Sequence, residues 1–190
     1  RILSEFMLQQ TQVKTVIPYF NNFVKKIPDL TVLSKSNEKK VLKLWEGLGY
    51  YARAKNLHKT SKILIKKYNG QIPKSFEKLK ELPGIGDYTA NVLLALIYNQ
   101  PRIALDGNVK RVFSRLFNIN KENGVNLFKT KRSGDLAEAL MEFGALICKP
   151  KDPRCDECKI KKMCVYYASK SKVKFKKKIK IQSKSYDIFC

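Results

Sequence analysis

The run from Thr89 to Tyr98 is apolar on nearly every side (Ala90, Val92, Leu93, Leu94, Ala95, Leu96, Ile97), and a Pro83-Gly84-Ile85-Gly86 turn leads straight into it. A helix with no polar face has nowhere to meet water, so it is expected at the centre of a folded lobe with other segments around it. The turn matters as much as the helix. Its glycines free backbone N–H groups at a helix start, where the positive end of the helix dipole suits an anion. No Walker-type lysine follows, so the anion is read as a nucleic-acid phosphate and not a nucleotide. The plainer alternative is a turn that only ends one helix and caps the next.

The remaining segments also follow helical periodicity, and no alternating strand pattern stands out, so the chain reads as all-α. Ser4 to Gln10 forms a short amphipathic helix with Ile2, Leu3, Phe6 and Met7 on its apolar side. Pro18 is expected to start or kink a second helix that runs to Lys26 and ends before Pro28. Asn37 can cap a helix from Glu38 to Glu46, which Gly47 and Gly49 break. A longer helix then buries Ala54, Leu57, Ser61, Leu64, Ile65 and Tyr68 and closes at Asn69-Gly70. Further helices are expected over Ser75–Leu82, after Asp106 and over Asp135–Ile147. In the helix after Asp106, Val109, Val112, Phe113 and Leu116 point inward and Lys110, Arg111 and Arg115 outward. His58, the only histidine, is read as a solvated residue, and Trp45 as core.

The formal net charge of +23 is far from that of an ordinary enzyme surface and points to a polyanion, with nucleic acid first because Lys and Arg displace counterions from phosphates. The plainer alternative is an AT-rich coding bias toward Lys, Asn and Ile, which by itself produces a Lys-rich composition of this kind. No apolar run reaches the roughly 20 residues needed to span a bilayer, and no signal peptide is evident. Beyond Ser169 the sequence is Lys-rich and of low complexity, as in a linker or tail.

Four of the five cysteines fall in one stretch, Cys148-x6-Cys155-x2-Cys158-x5-Cys164. Such clustering suits a metal centre in a reducing, cytoplasmic compartment better than a disulfide framework. Zinc sites usually pair two Cys-x-x-Cys knuckles, and this compact spacing suits a 4Fe–4S cube at least as well. The intervening Lys149-Pro150-Lys151-Asp152-Pro153-Arg154 is a stiff basic loop shaped to meet a phosphate backbone. Cys190 is read as a free thiol.

Taken in order, four stretches make the chain resemble the helix-hairpin-helix DNA glycosylases, and most closely the MutY-type adenine DNA glycosylases. They are Ser4-Glu5-Phe6-Met7-Leu8-Gln9-Gln10-Thr11-Gln12, Trp45-Glu46-Gly47-Leu48-Gly49-Tyr50-Tyr51-Ala52-Arg53, Leu82-Pro83-Gly84-Ile85-Gly86-Asp87-Tyr88-Thr89-Ala90 and Leu105-Asp106-Gly107-Asn108-Val109-Lys110-Arg111-Val112. The resemblance runs from Arg1 to about Ala168 and includes the cysteine spacing. It implies a two-lobed fold of the endonuclease III type: residues 1–100 as a six-helix lobe ending in the hairpin, 101–168 as a lobe closed by an iron–sulfur cluster loop, and 169–190 as a basic tail. It implies a 4Fe–4S cluster on Cys148, Cys155, Cys158 and Cys164. The implied partner is double-stranded DNA bearing an adenine opposite 8-oxoguanine or guanine, bound by a monomer, with no membrane involved.

The resemblance also implies roles. Glu5 would give a proton to the departing base, Asp106 would stabilise or trap the cationic sugar, and Asn108 would position both carboxylates and the base. Gln10 and Tyr50 would wedge into the duplex; Gly84, Gly86, Lys110 and Arg111 would hold phosphates. Tyr88 stands where endonuclease III-type enzymes carry an attacking Lys, and neither Thr89 nor Lys80 replaces that amine, which implies base removal without strand cleavage. Without the resemblance, Glu5 reads as a surface residue in a first helical turn and Asp106 as an ordinary N-cap. Three departures from the family pattern stand out: a shorter Asn118–Gly134 stretch, a start already inside a helical pattern at Arg1, read as a missing N-terminal element, and no 8-oxoguanine-reading domain before Cys190. The rival expectations are an endonuclease III-like glycosylase/lyase and a non-catalytic DNA-binding iron–sulfur protein.

Overall fold

The structure is a computed structural model and describes residues 1–118 and 130–169. The Lys-rich tail, Cys190 and most of the Asn118–Gly134 stretch lie outside the described residues. Those described are helical, with no strand among them: α1 (Ile2–Leu8), α2 (Val13–Lys26), α3 (Leu30–Lys35), α4 (Glu38–Leu44), α5 (Ala52–Tyr68), α6 (Phe76–Lys80), α7 (Asp87–Tyr98), α8 (Gly107–Phe117), α9 (Ser133–Leu146) and α10 (Val165–Ser169). A 3-10 turn, Lys161–Met163, precedes α10.

Side chains start four of these helices by accepting an otherwise unpaired backbone N–H. Asp29 accepts from Val32 (2.8 Å), Asn37 from Lys39 (2.9 Å), Ser75 from Lys78 (3.3 Å) and Asp106 from Val109 (2.7 Å). Asn69, Asn99 and Asn118 end α5, α7 and α8 in the left-handed region, with φ of 50°, 54° and 54°. Asparagine tolerates that geometry better than most residues.

Two apolar cores form. The larger gathers Phe6, Met7, Phe23, Trp45, Leu57, Leu64, Leu79, Leu93 and Leu94, all essentially inaccessible. The smaller gathers Ile103, Val109, Val112 and Phe113, with Leu140, Met141, Phe143 and Cys148 packed against it. Helix α7 packs on α6 and α9, and α9 also packs along α8, so α9 bridges the two cores. Burial of large apolar side chains contributes roughly 1.5–3 kcal/mol each, and this connected set keeps the elements around the cleft in register.

Several expectations need correction. Helix α1 ends at Leu8 and not Gln10, because Gln10 adopts φ 58° and cannot continue a right-handed helix. Pro18 lies inside α2, which begins at Val13, so it does not start the helix. Helix α3 is additional, started by Asp29 and laid across α5. That packing covers His58, which is 1% exposed and has no hydrogen-bond partner at Nε2. Burial first, and the charge of Lys62 second, hold its pKa below the ordinary value, so it is a neutral core residue and not a solvated one. Arg111 and Arg115 are 7% and 5% exposed, turned inward where periodicity had left them outside. A guanidinium can be buried when enough carbonyls accept its donors, and here they do.

Candidate active site

A cleft of about 990 Å³ opens between the two cores. Glu5, Gln9 and Gln10 reach it from α1 and its end, Gly86, Tyr88 and Thr89 from the start of α7, Asp106 from the head of α8, and Glu138, Met141 and Glu142 from one face of α9. Segments separated by more than half the chain therefore line one cleft. Glu5 is half-buried. Burial is the main reason its carboxyl titrates above the ordinary value of 4.5; Glu138 pushes the same way, and the positive charge at Arg1 opposes. Arg1 itself pairs with Glu138 at 2.8 Å.

Asp106 holds two positions at once. Oδ1 accepts from the Val109 N–H, and Oδ2 accepts from Asn108 Nδ2 at 3.1 Å. The capping geometry and the cleft-facing geometry are thus the same geometry, with the carboxylate at the positive end of α8. Asn108 is held in turn. Its Oδ1 accepts from Arg111 Nη2 at 2.7 Å, and the same guanidinium donates to the carbonyls of Gly144 (2.6 Å) and Cys148 (2.8 Å). That pairing fixes which end of the Asn108 amide faces Asp106. Arg111 is therefore spent on the interior, whereas Lys110 is exposed beside the head of α8.

Tyr88 offers a phenol and no amine. Burial, then the charges of Glu5 and Asp106, push its pKa above the ordinary 10.0, so it stays protonated, and its hydroxyl donates to Met141 Sδ at 3.3 Å. Gly84 and Gly86 lie exposed in the turn before α7. Gly84 has φ +79°, and a Cβ there would meet Phe6 at 2.7 Å and Asn56 at 2.9 Å, so only glycine fits. Its carbonyl accepts from Gln9 Nε2 at 3.1 Å, tying the turn to the end of α1. Tyr50 is 61% exposed and, like Gln10, left-handed, but it lies outside the cleft lining.

Cys148, Cys155, Cys158 and Cys164 are free thiols lining one small pocket walled by Val112, Leu116, Phe143, Ile147 and Ile160. Arg115 closes one side: it donates to the carbonyls of Lys149 (2.6 Å) and Pro150 (2.9 Å) and lies 3.5 Å from Cys148 Sγ. Burial and then the other three cysteines push the Cys155 thiol up, a mutual repulsion that a shared cationic centre relieves. Among the described residues no three ligand side chains converge as closely as a single ion requires.

The profile of the HhH-GPD superfamily base excision DNA repair proteins matches residues 3–134. The chain belongs to that superfamily. Among curated relatives, it is 45% identical over 175 residues to the adenine DNA glycosylase of Buchnera aphidicola subsp. Baizongia pistaciae, a match covering 87% of this chain and 50% of the relative. It is 35% identical over 175 residues to the Homo sapiens adenine DNA glycosylase, covering 85% and 32%. The chain thus spans about half the length of the first of these relatives. Among solved structures, a thermostable thymine-DNA glycosylase aligns with a TM-score of 0.76 at 26% identity, over 88% of this chain and 83% of that one. A trapped endonuclease III–DNA covalent intermediate aligns at 0.73 and 25%, over 89% and 84%.

In this HhH-GPD protein, the residues that sequence reasoning missed are Glu138, Met141 and Glu142. Their i, i+3, i+4 spacing was visible, but on a helix expected only from its periodicity nothing marked that face as lining a cleft.

Proposed function

We propose that this chain carries the base-excising centre of an adenine DNA glycosylase, acting on an adenine opposite 8-oxoguanine or guanine in double-stranded DNA. The observation that carries it is the pairing of a carboxyl held above its ordinary pKa, Glu5, with a capped and oriented carboxylate, Asp106, in one cleft. Breaking an N-glycosidic bond needs that combination of a proton donor for the leaving group and a negative group for the cationic sugar. The adenine enters the cleft after leaving the base stack. Glu5 protonates the departing adenine as its bond to C1′ breaks, Asp106 stabilises the sugar cation or bonds to it transiently, and water completes the hydrolysis. Asn108 keeps the Asp106 carboxylate aimed. Because Tyr88 carries no amine, no Schiff base forms and the strand stays whole.

Gly84, Gly86 and Lys110 form the phosphate-facing edge in this reading, with Gln10 and Tyr50 entering the duplex. The inward pairing of Arg111 favours a supporting role over direct phosphate contact. The two cores support lobes at 1–100 and 101–168, with 169–190 as a basic tail. The four thiols suit a 4Fe–4S cluster, whose positive iron centres would hold the thiolates together and, with Arg115, fix the basic loop Lys149–Arg154.

The test is a duplex containing a single adenine opposite 8-oxoguanine, analysed with and without alkali. Breakage only after alkali, lost in Glu5→Gln and Asp106→Asn, is the expected result. Breakage without alkali would favour a glycosylase/lyase of the endonuclease III kind, and no breakage from cluster-loaded protein would favour a non-catalytic DNA-binding module.

A further inference from the structure

Arg53, in the first turn of α5, is 7% exposed, and its guanidinium joins two segments far apart in sequence. From the end of α1 it takes the carbonyls of Phe6 (3.3 Å), Met7 (2.7 Å) and Gln9. From the glycine turn before α5 it takes those of Leu48 (3.4 Å) and Gly49 (3.1 Å). Its carbon centre also lies 5.6 Å from the Trp45 ring and 5.2 Å from the Tyr50 ring. The carbonyls at a helix end lack helical partners, and a planar fork of donors can satisfy several of them together, which a lysine ammonium on its flexible stem cannot.

Each bridged segment leads directly into an exposed, non-glycine residue in the left-handed region: Gln10 with φ 58° and Tyr50 with φ 49°. An ordinary L-residue holds that conformation only where its surroundings over-determine it. At both positions the surroundings include the same guanidinium, through the carbonyl of the preceding residue, Gln9 or Gly49.

We propose that Arg53 is a positioning residue for duplex opening, locking the turns that carry Gln10 and Tyr50 into one preformed wedge that enters DNA as a unit. The proposal rests on the reading above in which these two residues enter the duplex. A wedge ordered in advance spares duplex opening the entropy of ordering two turns at the same moment. Arg53 itself touches no base, since its two terminal nitrogens are engaged with carbonyls.

The test uses the whole chain, cluster-loaded, and a duplex with fluorescent 2-aminopurine beside the target adenine, which brightens as the stack opens. Arg53→Lys, which keeps the charge and loses the fork, is expected to slow opening of a fully paired duplex by about ten-fold, equivalent to about 1.4 kcal/mol. The loss should be several-fold smaller when mismatches flanking the target have already unstacked it. Equal losses on the two duplexes would overturn the proposal and leave Arg53 a plain core residue. Should Arg53→Lys fold poorly, the wild-type background decides: the effects of Gln10→Ala and Tyr50→Ala on opening should fail to multiply in the double variant, and losses that do multiply would overturn the single wedge. A wild type that brightens the probe but releases no adenine would sink the glycosylase reading alone, whereas one that opens no duplex would sink the wedge.

Discussion

A Cβ placed on Gly144 would stand 2.6 Å from the Cβ of Asn108 and 3.1 Å from its Cα and carbonyl carbon, so α9 and α8 meet at van der Waals contact directly behind the candidate active site. Nothing larger than the existing hydrogen fits there. Gly144→Ala must therefore push the helices apart or turn Asn108, and with it the hydrogen bond to Asp106. Overpacking of this kind costs about 1–3 kcal/mol. Thermal unfolding should show that loss, and single-turnover base removal should fall further than DNA binding does.

Glu5 gives a pH signature with a definite sign. Its folded pKa lies above 4.5, chiefly because of burial. Between the ordinary value and the raised one the folded chain holds a proton that the unfolded chain releases, so stability falls as pH rises through that interval. Glu5→Gln has no proton to lose. It should be more stable than wild type near neutral pH, with the difference gone once pH drops below 4.5. Base removal by the wild type should decline with rising pH through the same interval, as the acid loses its proton, and urea unfolding beside single-turnover rates would check both trends.

Tyr88 separates the two possible outcomes at the sugar. Tyr88→Phe removes only the contact to Met141, 3.3 Å away, and should change base removal by less than about ten-fold, the scale of one hydrogen bond. Tyr88→Lys introduces an amine into the same cleft. It should yield a borohydride-trappable protein–DNA adduct that wild type lacks, visible as a shifted band on a denaturing gel.

Cysteine loss should act at a distance from the chemistry. Cys155→Ser removes one of four thiols from a pocket whose wall includes Val112 and Leu116 of α8. Iron content and visible absorption should drop together with thermal stability, and DNA affinity should weaken because the basic loop Lys149–Arg154 loses its anchor. A colourless protein containing zinc and retaining full stability would overturn the iron–sulfur assignment.

Much of this was legible along the chain because it is local. The all-helical class follows from a 3.6-residue period, helix starts from Asn37, Ser75 and Asp106, and the burial of α7 from its lack of any polar face. Even here α3 escaped notice, because six residues give too little period to register. The cysteine cluster and the glycine turn were legible as well, since both depend on close spacing.

What the one-dimensional pattern misplaced were polar side chains whose burial is decided by distant partners. His58 is covered by α3; Arg111 and Arg115 point inward because carbonyls from other segments receive them. Periodicity assigns a charged residue to water by default, and only acceptors brought in from distant segments reverse that default. The same holds for the glycine turn before α7. Sequence by itself determined that a glycine turn precedes α7 and that Tyr88 brings no amine. Tertiary structure decided that Gly84 is pinned against Phe6 and Gln9 and that Glu5 and Asp106 share a cleft. It also decided that α9 lends Glu138, Met141 and Glu142 to the same cleft, because burial and proximity across a hundred residues are properties of packing and not of spacing.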